Sequence, residues 1–147
     1  TMSVFGWQPE TKTPNAVMSA YFAITQKQEL ERTTLRSGTP TYTKDLAKAI
    51  IELSLSRESG IFHITGLSYL NRYEWLLKTC EALGWDSSFL IHVETSSPEN
   101  TLYPLKIKLS TEKFRSRFKT KLHTLPEALA LLKQDVHQAL PAGSLSL

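Results

Sequence analysis

The chain has 147 residues, 41% of them hydrophobic and 21% charged, and a formal net charge of +3 at pH 7. That length suits one domain burying about two-thirds of its unfolded surface, and so mild a charge makes no case for nucleic acid. One cysteine, Cys80, excludes an internal disulfide and fits a reducing compartment. No apolar run nears the ~20 residues of a membrane-spanning helix and no signal peptide is visible, so cytoplasm is the default expectation.

Thr1-Met-Ser-Val-Phe-Gly6 reads as the end of a strand rather than the start of a protein. Trp7 to Pro14 is a loop, and Asn15 to Gln28 a helix, apolar at Val17, Met18, Tyr21, Phe22 and Ile24. A tight Gly38-Thr-Pro-Thr41 turn follows. Pro40 fixes its own φ and pushes Thr39 away from helical geometry, so the next helix begins after it. Thr43 is its expected N-cap and Asp45 suits the positive end of the helix dipole. Leu46, Ala47, Ile50, Ile51 and Leu53 form an apolar stripe, with Asp45, Lys48 and Glu52 opposite, as for a helix lying on a sheet.

Ile61 to Thr65 reads as a short strand buried on both faces. Asn71-Arg-Tyr-Glu74 is a capping box opening a helix that buries Tyr73, Leu76, Leu77, Cys80 and Leu83 and stops at Gly84. Phe89 to Glu94 is a strand, Thr95 to Tyr103 a polar loop, Leu105 to Leu109 a short strand or extended piece, and Thr111 to Phe118 a small helix. Thr124-Leu-Pro-Glu127 caps a last helix carrying Leu125, Ala128, Leu129, Leu132 and Val136 on one face. Residues 1–140 form the folded part and 141–147 a loose tail. The order is mixed α/β, with too few strands for a self-sufficient doubly wound sheet.

Three motifs carry a resemblance. Gly38, Pro40, Thr41, Tyr42, Asp45, Leu46 and Ala47 come first, then Gly60, Ile61, Phe62, His63 and Gly66, then Arg72, Tyr73 and Glu74. In this order and spacing they resemble the dTDP-4-dehydrorhamnose reductases, of the extended short-chain dehydrogenase/reductase superfamily, over about Thr1 to Val136. The resemblance implies an α/β fold: the carboxy-terminal, substrate-binding part of a Rossmann-type reductase. It also implies that the dinucleotide-binding half lies outside this chain. In keeping with that, none of the five tyrosines is followed four positions later by lysine, and none of the six glycines forms Gly-x-Gly-x-x-Gly. NADP or NAD would belong to the complete enzyme, with none held by this chain alone. The implied partners are a nucleotide-sugar substrate and the absent Rossmann half, with room for a homodimer and no membrane or nucleic acid.

By position in the family, the substrate pocket draws on Ser3, Phe5, Gly6, Trp7, Asn15, Arg36, Thr39, Pro40, Thr41 and Tyr103. An arginine and main-chain N–H groups suit a phosphate, and an aromatic wall suits a thymine. Phe5 and Trp7 read equally well as core, and Pro40 and Thr41 as residues that merely turn the chain. The chain departs from the family pattern at Leu35-Arg36 (in place of Asp-Gln), at Ser3 (in place of Trp) and at Tyr103-Pro104 (in place of Arg-Pro). A non-catalytic regulatory subunit, like the beta subunit of methionine adenosyltransferase, is the alternative those departures motivate.

Other constellations give less. His63 and His92 read as hydrogen-bonded strand residues, and Cys80 as core. No histidines, cysteines or carboxylates show metal-ligand spacing, and no Gly-x-Ser-x-Gly marks a hydrolase. Lys113, Arg115, Arg117, Lys119 and Lys121 alternate with Phe114, Phe118 and Leu122. A solvated edge anchored by the two phenylalanines fits that pattern better than a nucleic-acid surface.

Overall fold

The computed structural model describes residues 1–8, 10, 13–94 and 106–140. In chain order the elements are β1 (Val4–Phe5), α1 (Ala16–Gln26), β2 (Leu30–Thr33), β3 (Ser37–Gly38), β4 (Thr41–Tyr42), α2 (Thr43–Ser54), β5 (Leu70–Asn71), α3 (Arg72–Leu83), β6 (Leu90–Val93), α4 (Glu112–Arg115) and α5 (Leu125–Ala139). Among the described residues the strands form three two-stranded ladders. β1 runs parallel to β4, β2 parallel to β6, and β3 antiparallel to β5. Ser37 of β3 also bridges Lys106. The expectations for Tyr103 and for the tail, 141–147, fall outside the described residues.

The capping chemistry sets most helix ends. Asn15 accepts from the N–H groups of Val17 and Met18 at the head of α1. Asn71 accepts from Glu74 N–H at 2.8 Å, and Glu74 reaches back to Asn71 N–H, closing the capping box of α3. Gly84 then ends α3 in the left-handed conformation, φ 71°. At α5 the Glu127 carboxylate accepts from both the N–H and the hydroxyl of Thr124, at 2.9 and 2.8 Å.

A main core gathers Phe5, Val17, Tyr42, Leu76, Leu129 and Leu132 between α1, α3 and α5. A second, smaller core joins Ala49, Ile64, Phe114 and Leu122. The basic segment beside it is an edge anchored by aromatics. Phe114 is buried and stacks on Phe118 at 5.0 Å, while Lys113 lies 4.1 Å from the centre of the Phe62 ring. Arg117 pairs with Glu58, and Lys121 with Glu127 at 2.7 Å, so three of the five charges engage the protein itself. No helix among the described residues is long and apolar enough to cross a membrane.

Three sequence expectations need correcting. Thr43 does not cap α2: Tyr42, paired to β1, holds the cap position, and the Thr43 side chain instead packs on Gly6. A Cβ on Gly6 would lie 2.3 Å from the Thr43 hydroxyl. Second, the apolar stripe of α2 is buried only in part: Leu46 and Leu53 pack against the second core, and Ala47, Ile50 and Ile51 do not. Asp45 and Ala49 point inward, whereas Ile50 and Ile51 are 54% and 59% exposed. Asp45 accepts from His123 N–H at 2.9 Å and contacts the His123 ring at 2.8 Å, which satisfies its buried carboxylate. Third, Ile61 to Thr65 forms no strand, and Ile61 is 78% exposed. Phe62 and Ile64 still alternate toward the second core, but among the described residues no strand pairs with the segment.

Two contacts yield tests. A Cβ on Gly66 would stand 2.0 Å from the Pro40 carbonyl oxygen, whereas one on Gly84 meets nothing within 4 Å. Gly66→Ala is expected to cost about 3 kcal/mol by overpacking, and Gly84→Ala about 1 kcal/mol through its backbone alone, both read by urea unfolding. The second test concerns Glu127, whose carboxyl is held down to about 2 by the Lys121 ammonium and by the Thr124 N–H and hydroxyl. A depressed carboxyl contributes stability above its ordinary 4.5 and loses it as pH falls through about 2. Glu127→Gln should therefore melt below the parent at pH 7, and the two melting temperatures should converge between pH 4.5 and 2.

Candidate functional site

Two cavities meet where β1 leaves the core. The first, about 180 Å³, is lined by Met2, Ser3, Arg36, Ser37, Gly38, Pro40, Leu70, Asn71, Arg72, Trp75 and Ile107. The second, about 290 Å³, is lined by Ser3, Val4, Pro14, Asn15, Ala16, Ser19, Arg32, Arg72, Trp75 and Leu76. Ser3, Arg72 and Trp75 border both, so the pair makes one cleft of two lobes.

Local chemistry builds each wall. Ser3 sits at φ 47°, a left-handed conformation unusual for a residue with a Cβ, and its carbonyl accepts from Thr41 N–H at 3.1 Å. That bond extends the β1–β4 pairing by one residue and turns Ser3 into the junction of the lobes. Arg72, at the first position of α3, is fixed by the capping box beside it, and its N–H donates to the Arg36 carbonyl at 3.1 Å. Arg32 lies on β2, where β6 holds the strand in register.

The electrostatics of the cleft are one-sided. Partial desolvation, and then the neighbouring Arg72 charge, lower the Arg32 guanidinium from its ordinary value. Partial desolvation, and then Arg36, do the same to Arg72. Three guanidinium groups thus share a small volume, and no carboxylate stands among the described residues lining either lobe. Forked N–H donors at such a density match the oxygens of a phosphate or carboxylate ligand.

The residues singled out from sequence separate in the structure. Ser3, Arg36 and Pro40 line the first lobe, and Ser3 and Asn15 the second. Asn15 is also engaged structurally, donating to the Gly6 carbonyl at 3.0 Å while capping α1. Phe5 is buried between Tyr42 and Trp75. Trp7 packs edge-on against Tyr21 at 4.9 Å. Thr39 and Thr41 are buried behind the turn, Thr41 donating to the Met2 carbonyl at 2.7 Å. Gly6 packs on Thr43. Sequence reasoning passed over Arg32, Arg72 and Trp75. Arg72 stood in a motif already singled out, and its place beside the cap was the available signal. Arg32 and Trp75 carry no such mark, because only strand register and helix packing bring them to the cleft.

Elsewhere, His92 shares a hydrogen bond with Thr34 at 3.2 Å beneath the Tyr73 ring, and His63 is exposed. Cys80 is buried, and burial pushes its thiol up to about 11. Among the described residues no group of three histidines, cysteines or carboxylates is placed to hold a metal ion.

Residues 3–138 match the family model described as the RmlD substrate binding domain. Over 64 residues the chain is 39% identical to the spore coat polysaccharide biosynthesis protein SpsK of Bacillus subtilis, covering 44% of this chain and 22% of that protein. Among solved structures it is similar to a dTDP-4-dehydrorhamnose reductase from Bacillus anthracis in complex with NADP. The TM-score is 0.72 at 16% identity, covering 90% of this chain and 45% of that one. It is also similar to DesIV, a dTDP-glucose 4,6-dehydratase from Streptomyces venezuelae with NAD and TYD bound. There the TM-score is 0.68 at 17% identity, covering 92% of this chain and 42% of the dehydratase. The chain thus spans less than half the length of each of these proteins.

The crowded arginines make a testable demand. Arg72→Gln relieves repulsion among three like charges, so at low ionic strength it should melt slightly above the parent. Added sodium chloride should close that gap by screening the repulsion that remains in the parent.

Proposed function

Since the chain belongs to the RmlD substrate binding domain family, we propose that it grips the diphosphate of a dTDP-linked sugar for an NAD(P)H-dependent reductase. It has the α/β fold of the carboxy-terminal, substrate-binding part of the extended short-chain reductases. The observation that carries the reading is the two-lobed cleft with Arg32, Arg36 and Arg72 around it. A nucleoside diphosphate sugar has a paired anion at its middle and a neutral group at each end. A cleft with Arg72 where its two lobes meet, Arg36 in one lobe and Arg32 in the other has the complementary layout.

Within this scheme the arginines hold the two phosphates by charge-assisted hydrogen bonds, and the lobes on either side receive the nucleoside and the sugar. Ser3, Asn15 and Pro40 shape those lobes, and Phe5, Trp7, Thr39 and Thr41 support them from behind. The hydride donor and the proton-transferring tyrosine–lysine pair come from a dinucleotide-binding half, since neither motif occurs in this sequence. Residues 1–140 form the binding unit, and alone it binds without turning over.

Calorimetric titration with dTDP tests the reading. Saturable binding to the parent is expected, with Arg36→Ala and Arg72→Ala each weakening it about tenfold or more. NADPH should give no heat of binding. Fused in cis to a dinucleotide-binding half, the chain should support NADPH oxidation with a dTDP-4-dehydro sugar. Arginine variants that hold dTDP as tightly as the parent would overturn the assignment.

A further inference from the structure

Trp75 is 5% exposed, and its indole N–H has no hydrogen-bond partner. A buried donor left unmade is costly, and a phenylalanine in α3 would fill most of the same core space without that cost. Trp7 and Trp85 also carry unpartnered buried indole N–H groups. Those two pack with Tyr21, at 4.9 and 6.1 Å, and line neither lobe of the cleft. Trp75 lines both lobes together with Arg72, with Arg36 in one lobe and Arg32 in the other, and the Phe5 ring packs against it at 5.6 Å in a T-shaped arrangement.

We infer that Trp75 is a ligand-contacting residue, whose indole N–H donates to a diphosphate oxygen held in the arginine cleft. The inference rests on the function proposed above and adds a neutral donor to its charged ones. Indole offers one donor and no acceptor, so it suits a ligand atom with only lone pairs to give. A phosphate oxygen satisfies that requirement. The ring also places an apolar wall between the lobes, so the donor works where water is partly excluded and the bond is stronger for it.

The indole N–H signals of the ¹⁵N-labelled chain, assigned with Trp7→Phe, Trp75→Phe and Trp85→Phe, read this directly. On titration with dTDP, and separately with inorganic pyrophosphate, the Trp75 signal should move downfield while those of Trp7 and Trp85 stay in place. In calorimetry, Trp75→Phe with an unchanged circular dichroism spectrum should bind dTDP about tenfold more weakly. A Trp75 signal that stays still at saturating dTDP, while Arg72→Ala weakens binding, overturns the inference and leaves the arginine cleft standing. Absence of dTDP binding by the parent removes both.

Discussion

Gly66 comes so close to the Pro40 carbonyl that no side chain fits between them, and this contact is the constraint from which the geometry of the cleft follows. Pro40 can turn the chain there because Gly66, at the end of the unpaired segment from Ile61, presents a bare backbone to it. The next residue, Leu67, donates to the His123 carbonyl at 3.0 Å, while His123 N–H and ring bind Asp45. The turn, the head of α2 and the segment leading into α5 are therefore clamped at one point. On the other side of the same turn Thr41 reaches Ser3 and Met2. A wall of the cleft is thus fixed by the chain's own hydrogen bonds and close backbone packing.

That rigidity lets the arginines stay close together. Arg36 and Arg72 are joined through the backbone, Arg32 is held by a four-residue parallel ladder, and Arg32 and Arg72 carry an electrostatic penalty that an anion would relieve. Repulsion stored on a firm frame favours binding, because the frame cannot relax it away by swinging the side chains' backbone apart. Elsewhere, apolar side chains stay exposed. Ile50, Ile51, Leu55 and Ile61 leave an apolar face on the outer side of α2 and the segment beyond it.

What could be read from the sequence was local. Asn71 and Gly84 announce helix ends because their chemistry acts within a few residues, and both are found in that role. The ordered motifs led to the right family because short spacings survive without knowledge of the tertiary fold. Where packing over distance decides, the pattern misled. The α2 stripe obeyed helical periodicity, yet only Leu46 and Leu53 of it reach the second core, while a hydrogen-bonded carboxylate and an alanine take the fully buried positions. Ile61 to Thr65 had strand composition, but a strand is a pairing, and composition cannot supply a neighbour. Arg32 and Trp75 reached the cleft through register and helix rotation, neither of which leaves a mark at short range.

The parallel ladders have a consequence for how the molecule assembles. Leu30 finds Leu90, and Val4 finds Thr41, only after long stretches of intervening chain have closed into loops. Local helix formation is fast by comparison, so α1, α3 and α5 would collect around their shared apolar residues before either ladder zips. The arginine pocket, which needs both ladders, would be among the last parts to acquire its shape.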